Sequence, residues 1–204
     1  EKDFKKLMRE LGSLADYMVF NVSCPNAPGL KNLEQADVFH ELALTLINER
    51  NSLYDKKQLP LCVKFSPDLN EDQQQALAKA CLDTGIDGLI LSNTTTKRPD
   101  YLPQDFRERL GGLSGKPLNE KSTSTIHNFY QYTNGQIPII GVGGVSNAND
   151  AYEKIKAGAS LIQLYSALVF HGPELITQIC RDLAMLLDQD GFNNISDAVG
   201  TAHT

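Results

Sequence analysis

The stretch TGIDGLILSNT (residues 84–94) shows the local pattern from which the fold class can be inferred. Gly85 follows a helical pattern and can end that helix in the left-handed conformation without the strain that a Cβ atom causes. Residues Gly88–Leu91 then form a short apolar run, which is typical of a strand buried on both faces. Polar residues begin at Ser92. The stretch therefore predicts a helix, a glycine, a buried strand and a polar loop, in that order.

The same order of features recurs along the chain. Gly12 and Gly158 stand in the same place as Gly85, after a helical pattern and just before an apolar run. Asn70 and Gln73 predict a capping box at the start of one of the helices that separate the runs. A repeated βα unit indicates a parallel α/β architecture. The predicted strands, which we expect to be buried on both faces, are Tyr17–Val22, Leu61–Phe65, Gly88–Leu91, Ile137–Val142 and Leu161–Tyr165.

The placement of polar residues distinguishes a barrel from an open sheet. Polar or glycine-rich segments follow all the predicted strands, as they do at the C-terminal face of a (βα)8 barrel. An open doubly wound sheet would concentrate such residues at one switch point. A closed barrel needs eight strands and about 250 residues. We therefore expect an α/β fold of the TIM-barrel type, in which residues 1–204 supply roughly strands 4–8 as the C-terminal portion of a single domain.

The composition excludes several classes of protein. The 204 residues carry 25 acidic and 19 basic side chains, which gives a formal net charge of −6, and Lys and Arg form no long cluster. Nucleic acid is therefore not expected as a partner. No apolar run approaches about 18 residues, so we expect no membrane-spanning helix in this stretch. The four cysteines show no metal-ligand spacing, so no metal site is predicted.

Two segments near strand ends carry residues suited to catalysis. In the loop of residues 21–29, Asn21 and Asn26 can bind a planar, amide-rich ligand, and Cys24 between them can act as a base or nucleophile. A proline- and asparagine-rich turn with an incidental cysteine explains that loop equally well. Lys64 stands in an apolar strand, where its burial requires a carboxylate, a phosphate or an electron-rich cofactor as partner. A structural ion pair remains the alternative for Lys64.

Glycine- and hydroxyl-rich segments follow the last three predicted strands. Residues 92–96 can line a polar ligand, although such residues also begin ordinary loops. The glycines of residues 111–117 allow the backbone to approach a ligand closely, but the segment lacks the spacing of a phosphate loop. Residues 141–145 and 165–167 follow two consecutive strands. Because the loops after strands seven and eight of (βα)8 enzymes commonly bind a phosphate group, we expect the same here.

Over nearly its whole length the sequence resembles the dihydroorotate dehydrogenases. The segments that carry the resemblance are residues 21–29, 63–64, 92–95, 111–117, 141–145 and 164–166, in the order found in that family. The segment GGLSGKP at residues 111–117 is similar to the membrane-associated, quinone-reducing class. The resemblance implies an FMN-binding α/β barrel that oxidises dihydroorotate to orotate in pyrimidine biosynthesis and passes electrons to ubiquinone. It also implies a place at the mitochondrial inner membrane, with membrane contact through a segment outside these residues.

The resemblance further implies roles for individual residues. Cys24 would be the base that removes the C5 proton while a hydride passes to N5 of FMN, and Lys64 would stabilise negative charge on the flavin. The residues implied to bind dihydroorotate and orotate are Asn21, Asn26, Asn93 and Thr94. Those implied to bind FMN are Asn21, Lys64, Ser92, Gly115, Gly143, Gly144, Tyr165 and Ser166.

The loop around Cys24 departs from the quinone-reducing class. That class usually has Ser at the base position and Thr at the position of Ala27, whereas the soluble classes have Cys as the base. Since a thiol has a reference pKa near ~8.5, it needs less help from a proton relay than a serine hydroxyl. We therefore expect the two departures to be linked: with Cys24 as the base, no relaying Thr is needed at the position of Ala27. Two alternatives stay open: another FMN barrel acting on a pyrimidine, such as the flavin domain of a dihydropyrimidine dehydrogenase, and a non-catalytic barrel fragment.

Overall fold

The computed structural model describes residues 1–24, 32–54 and 59–203. The strands are β1 (Met18–Asn21), β2 (Leu61–Phe65), β3 (Gly88–Leu91), β4 (Ile139–Val142) and β5 (Ala159–Gln163). The α-helices are α1 (Lys2–Leu11), α2 (Ala36–Leu53), α3 (Glu71–Thr84), α4 (Gln104–Arg107), α5 (Asn119–Thr133), α6 (Ala148–Lys156), α7 (Ser166–His171), α8 (Glu174–Asp190) and α9 (Ile195–Ala198). Short 3₁₀ turns lie at Gly12–Leu14, Lys116–Leu118 and Thr201–His203.

The strands form one parallel sheet in the order β1-β2-β3-β4-β5, so each strand pairs with the next one in the chain. The order contains no reversal, which an open doubly wound sheet would need at its switch point. Sequential parallel strands joined by helices are the arrangement of part of a (βα)8 barrel, so the predicted fold class is confirmed. Strand β5 begins and ends two residues before the predicted run, because Tyr165 already precedes the first turn of α7.

Two of the three repeated glycines have the backbone conformation that was predicted. Gly85 ends α3 with φ of 74°, and Gly158 follows α6 with φ of 122°. Gly12 has φ of −60° and leads into a 3₁₀ turn, so the left-handed helix end predicted there is wrong. Packing explains this glycine instead, since a Cβ atom would lie 2.8 Å from the ring of Tyr54.

A row of four phenylalanines fixes the strands against the helices. Neighbouring ring centroids in the row Phe20, Phe39, Phe65 and Phe129 are separated by 6.2, 5.2 and 5.6 Å. These rings come from β1, α2, β2 and α5 and are almost fully buried. Aromatic pairs at such distances stabilise by about 0.5–1.5 kcal/mol each beyond the area that they bury. The row therefore holds the first two strands in place relative to α2 and α5.

The outermost strands are less buried than predicted. Val19 in β1 is 38% exposed and Leu161 in β5 is 63% exposed. The expectation of strands buried on both faces is therefore wrong for β1 and β5, although it holds for β3. The reason is their position, since each has a neighbouring strand on one side only within the described sheet.

A buried ion pair fixes the amino-terminal end of the sheet. Arg50, which is 1% exposed, donates from Nη1 to Asp87 Oδ2 at 2.8 Å and to the Leu59 carbonyl at 3.0 Å. The backbone N–H of Leu61 donates to the same Asp87 oxygen at 2.9 Å. These bonds join α2 to the starts of β2 and β3. The polar segments that follow the strands lie at the opposite, carboxyl end of the sheet.

Candidate functional site

A cavity of about 240 Å³ lies at the carboxyl ends of β2 to β5. Because these strands are consecutive neighbours, the segments that follow them meet around one space. The residues predicted from the sequence that line it are Lys64, Ser92, Asn93, Thr94, Gly115, Gly143, Gly144, Tyr165 and Ser166. Ser114, Leu118, Val142, Val145, Leu164 and Ala167 also line it. The cavity thus combines ammonium, hydroxyl and amide groups with an apolar wall.

Lys64 is a half-buried cation on β2, in register with Asn21 of β1 and Ile90 of β3. Burial lowers its pKa below the ordinary value of 10.5. Within the described residues no carboxylate forms an ion pair with it, so the structural ion pair considered from the sequence is not found there. A partly desolvated cation without a counter-charge is costly, and a ligand rich in electrons would offset that cost.

Asn93 ties the end of β3 to the end of β1. Its Nδ2 lies within hydrogen-bond distance of Asn21 Oδ1 (3.2 Å), the Ser23 carbonyl (3.1 Å) and Ser23 Oγ (3.0 Å). Its Oδ1 accepts from the Thr94 backbone N–H at 2.8 Å. Ser23 Oγ also lies 2.9 Å from the Lys64 carbonyl. The structure therefore brings together Asn21, Lys64, Asn93 and Thr94, which are among the residues that the sequence analysis selected.

The segment after β3 returns to the cavity through a short antiparallel bridge. Thr95 and Leu113 exchange backbone hydrogen bonds of 3.1 and 2.7 Å. The bridge requires glycine at position 112, because a Cβ atom there would lie 1.8 Å from Thr94 Oγ1. It places Ser114 so that its hydroxyl lies 2.9 Å from that of Ser166, the first residue of α7. The glycine-rich segment is therefore a wall of the cavity rather than a separate phosphate loop.

The turn after β4 is held tightly against the start of α5. Gly143 and Gly144 have φ values of 123° and 71°. A Cβ atom on Gly144 would lie 2.6 Å from the Asn119 backbone nitrogen. Asn119 Nδ2 donates to the Gly144 carbonyl at 3.0 Å, and Ser122 Oγ lies 2.9 Å from the Gly143 carbonyl. Glycine is required at this turn because of both backbone conformation and space.

Asp68 holds the segment after β3 in place, a role that the sequence analysis missed. It accepts from Thr95 Oγ1 at 2.5 Å and from the backbone N–H and hydroxyl of Thr96 at 2.7 and 2.8 Å, and it pairs with Lys121 of α5. Burial raises the pKa of Asp68, but the bonds from Lys121 and the threonines outweigh it and lower the pKa to about 2. The carboxylate is therefore ionised and anchors the residues next to Asn93.

Cys24 is half-buried and free, and it follows Ser23 at the rim of the site rather than lining the cavity. Asn26 and Ala27, to which the sequence analysis also assigned importance, lie outside the described residues. Tyr165 lines the cavity although it is 80% exposed. The part of the chain that the structure describes contains no group of three or more His, Cys, Asp or Glu side chains that could hold a metal ion.

Ser23, Asp68 and Asn119 are the main site residues that the sequence analysis did not select. Ser23 stands inside the quoted loop and Asp68 in the polar segment after β2, so position after a strand could have indicated both. Asn119 begins an ordinary helix, and nothing in its neighbourhood in sequence indicates that it contacts Gly144. Across residues 1–24, 32–54 and 59–203, no helix is both long and apolar enough to span a membrane.

Comparisons with known proteins agree with this geometry. The sequence profile of the family described as dihydroorotate dehydrogenase matches residues 1–187. The chain is 47% identical to mouse mitochondrial dihydroorotate dehydrogenase (quinone) over 201 residues, which cover 98% of this chain and 51% of that protein. It is 50% identical to dihydroorotate dehydrogenase (quinone) of Xanthobacter autotrophicus over 189 residues, 92% of this chain and 53% of the relative. The crystal structure of DHODH from Eimeria tenella with ferulenol matches with a TM-score of 0.95 at 35% identity, over 99% of this chain and 58% of that one.

The chain spans about half the length of the curated relatives that it matches. The matched residues 1–187 span all the strands and the segments that surround the cavity. The profile match and the identities of 47% and 50% all indicate the same protein family. This chain belongs to the dihydroorotate dehydrogenase family.

Proposed function

We propose that the chain forms part of a flavin-dependent oxidoreductase that converts dihydroorotate to orotate in pyrimidine biosynthesis, with FMN as cofactor. The observation that carries the proposal is the half-buried Lys64, which has no ion-pair partner within the described residues and lines one cavity with Asn93 and Thr94. The names of the relatives support the reaction. We also propose that residues 1–204 are the C-terminal portion of a single barrel domain.

The donor set of the cavity suits FMN. Lys64 supplies positive charge, and the hydroxyls of Ser92, Ser114 and Ser166 with the glycine turns supply neutral donors. The turn at Gly143 and Gly144 admits no side chain, so a phosphate group can approach its backbone closely. When bound, FMN supplies the hydride acceptor. Lys64 would stabilise the negative charge that this transfer leaves on the flavin.

The pair Asn21 and Asn93 would orient dihydroorotate. Their amides are fixed by bonds to each other and to Ser23, so their remaining donors and acceptors point in defined directions. Thr94 adds a hydroxyl beside them, and Asn26 would complete the set. Preorganised amides of this kind bind a planar, amide-rich ring without paying further side-chain entropy.

Cys24 would accept the proton from C5 of dihydroorotate while the hydride leaves C6. We expect Cys24→Ser to reduce kcat at neutral pH by about 100-fold, because a serine hydroxyl is a far weaker base without a relay. The double change Cys24→Ser with Ala27→Thr should recover part of that loss. Near-full activity of Cys24→Ser alone at pH 7 would contradict the pairing of Cys24 with Ala27.

The electrons would pass to ubiquinone. Tyr165 lines the cavity and is 80% exposed, and Val169 and Phe170, which are 75% and 81% exposed, belong to α7, whose first residues Ser166 and Ala167 also line it. Exposed apolar side chains next to a flavin site offer the contact that an apolar quinone needs. The word mitochondrial in the mouse relative's name supports a place at the mitochondrial inner membrane, with membrane contact through other parts of the protein.

The visible absorption spectrum of the full polypeptide tests the proposal. Flavin bands that bleach on anaerobic addition of L-dihydroorotate and return with a short-chain ubiquinone are the expected result. Bands that stay oxidised with dihydroorotate would contradict the substrate, and bands that bleach but return only with fumarate or NAD⁺ would contradict the quinone. A protein that binds no flavin would favour the non-catalytic alternative.

A further inference from the structure

Lys154 of α6 is a fully buried lysine that takes no part in the site described above. Its side chain is 0% exposed, and Nζ donates to Thr123 Oγ1 at 2.7 Å, Ser122 Oγ at 2.8 Å and the Asn119 carbonyl at 3.2 Å. All three acceptors are uncharged and belong to the first turn of α5. No ion pair to Lys154 is found in the described parts of the chain. Its positive charge is therefore solvated by dipoles rather than by a carboxylate in direct contact.

The same α5 residues hold the turn after β4. Ser122 Oγ lies 2.9 Å from the Gly143 carbonyl, and Asn119 Nδ2 donates to the Gly144 carbonyl at 3.0 Å. Two hydrogen bonds, from Lys154 Nζ to Ser122 Oγ and from Ser122 Oγ to the Gly143 carbonyl, therefore connect the ammonium group to this turn. Gly143 and Gly144 of the turn also line the cavity. Among the described residues that line that cavity, Lys64 is the one with a charged side chain. At the end of the cavity formed after β4 and β5, the lining contributed by residues 1–24, 32–54 and 59–203 carries no cation.

We propose that Lys154 gives this end of the cavity its preference for a phosphorylated flavin over an uncharged one, by placing a buried positive charge behind the Gly143–Gly144 turn. The inference rests on the proposed function, because it takes FMN as the ligand. A phosphate monoester carries about −1.5 to −2 charges at pH 7. Two unit charges roughly 8 Å apart at an effective dielectric constant of about 20 interact strongly enough to change affinity at least tenfold. Lys154 is a positioning residue in this scheme, since protein groups separate it from the ligand.

The ionisation of Lys154 agrees with this role. Burial lowers its pKa to about 8, and the neighbouring carboxylates of Asp150 and Glu153 partly oppose that effect. The ammonium form therefore predominates at pH 7. A bound phosphate would stabilise that form further.

Comparison of FMN with riboflavin separates charge from structure. The full polypeptide, freed of flavin, is titrated with each flavin by fluorescence quenching. For Lys154→Met we expect FMN affinity to fall tenfold or more and riboflavin affinity to stay within about twofold. The control is Lys156→Met on the same helix, where an equal loss of charge at a partly exposed site that pairs with Asp190 at 3.9 Å should change neither affinity by more than about twofold. Equal losses for both flavins in Lys154→Met would overturn the proposal.

A second pair of variants keeps Lys154 and tests its charge by a change at Thr123, which accepts a hydrogen bond from Nζ. Thr123→Asp places a carboxylate beside Nζ in the first turn of α5, and Thr123→Asn is the uncharged control of similar size. We expect Thr123→Asp to lose FMN affinity selectively and Thr123→Asn to keep it. This pair decides the matter if Lys154→Met does not fold, and equal FMN affinities of the two variants would overturn the proposal. If the unaltered protein binds neither flavin, the proposed function itself is contradicted. If FMN affinity is the same in the charge variants and the unaltered protein, only the role of Lys154 is contradicted.

Discussion

Asp68 provides the sharpest test of how the site is held together. The change Asp68→Asn keeps the size of the side chain and removes its charge. In the unaltered protein this carboxylate accepts from three donors of Thr95 and Thr96 and pairs with the ammonium group of Lys121. An amide can accept from some of them, but its NH₂ group must then face a donor. We expect the segment that carries Asn93 to loosen and the folded state to lose stability.

The magnitude follows from the pKa of the carboxyl group. The folded state lowers it from an ordinary 3.8 to about 2. Each pKa unit corresponds to about 1.4 kcal/mol, so the whole shift would contribute roughly 2.5 kcal/mol to the free energy of unfolding. The side chain retains 19% exposure, and solvent screening reduces the expected loss to about 1–2 kcal/mol. Because the folded pKa is depressed, this contribution is complete above pH ~4 and disappears as the pH falls through about 2.

Urea unfolding followed by circular dichroism measures the effect at pH 7, 4 and 3. We expect Asp68→Asn to lower the free energy of unfolding by about 1–2 kcal/mol at pH 7, with a smaller difference at pH 3. Orotate affinity should fall at pH 7 as well, because Asn93 loses its support. Asp105→Asn is the control, since this exposed carboxylate lies 3.9 Å from Arg109 and should contribute almost nothing. Equal stability of Asp68→Asn and the unaltered protein at pH 7, or a difference that persists undiminished at pH 3, would refute the reasoning.

Three further changes test other parts of the structure. Lys64→Met should slow flavin reduction by dihydroorotate about 100-fold in stopped-flow absorbance while the flavin stays bound; an unchanged rate would contradict its role. Gly144→Ala should lower stability by about 2 kcal/mol and weaken flavin binding, since its Cβ would lie 2.6 Å from the Asn119 nitrogen; calorimetry with and without flavin measures both. Arg50→Met should cost about 3–5 kcal/mol in urea unfolding because it removes the buried guanidinium that pairs with the Asp87 carboxylate, and adding Asp87→Asn should recover part of the loss.

The strands and the cavity lining were largely predictable because both follow local rules. An apolar run such as Gly88–Leu91 must be buried, and parallel strands bring whatever follows them to one edge. Lys64 was recognisable because a cation in an apolar strand is costly wherever it lies. Gly12 shows the limit of such rules, since its neighbours in sequence predict a helix cap, whereas the ring of Tyr54 determines why glycine is there.

The residues that hold the lining in place were not predictable, and the reason is physical. Lys121, Asn119 and Lys154 are polar residues of helices, and such residue types ordinarily face solvent, so their types carry no signal of their own. Their partners come from segments 25 to 53 residues away in sequence. Whether a polar side chain is a solvated surface group or an anchor depends on what the fold places opposite it. Periodicity along one helix contains no information about that opposite element.

The anchors explain how loops can form a site of defined shape. The segments after β3 and β4 have little regular structure, yet Asp68 and Lys121 hold the first, and Asn119 with Ser122 holds the second. Both sets converge on the first turn of α5, so one helix sets the relative position of the cavity side proposed for the substrate and the side proposed for the phosphate. A change that shifts this turn should therefore alter binding of both ligands together. The Lys154 and Thr123 variants bear on the same turn, and a selective loss of FMN affinity there would show that its charge can be changed without moving it.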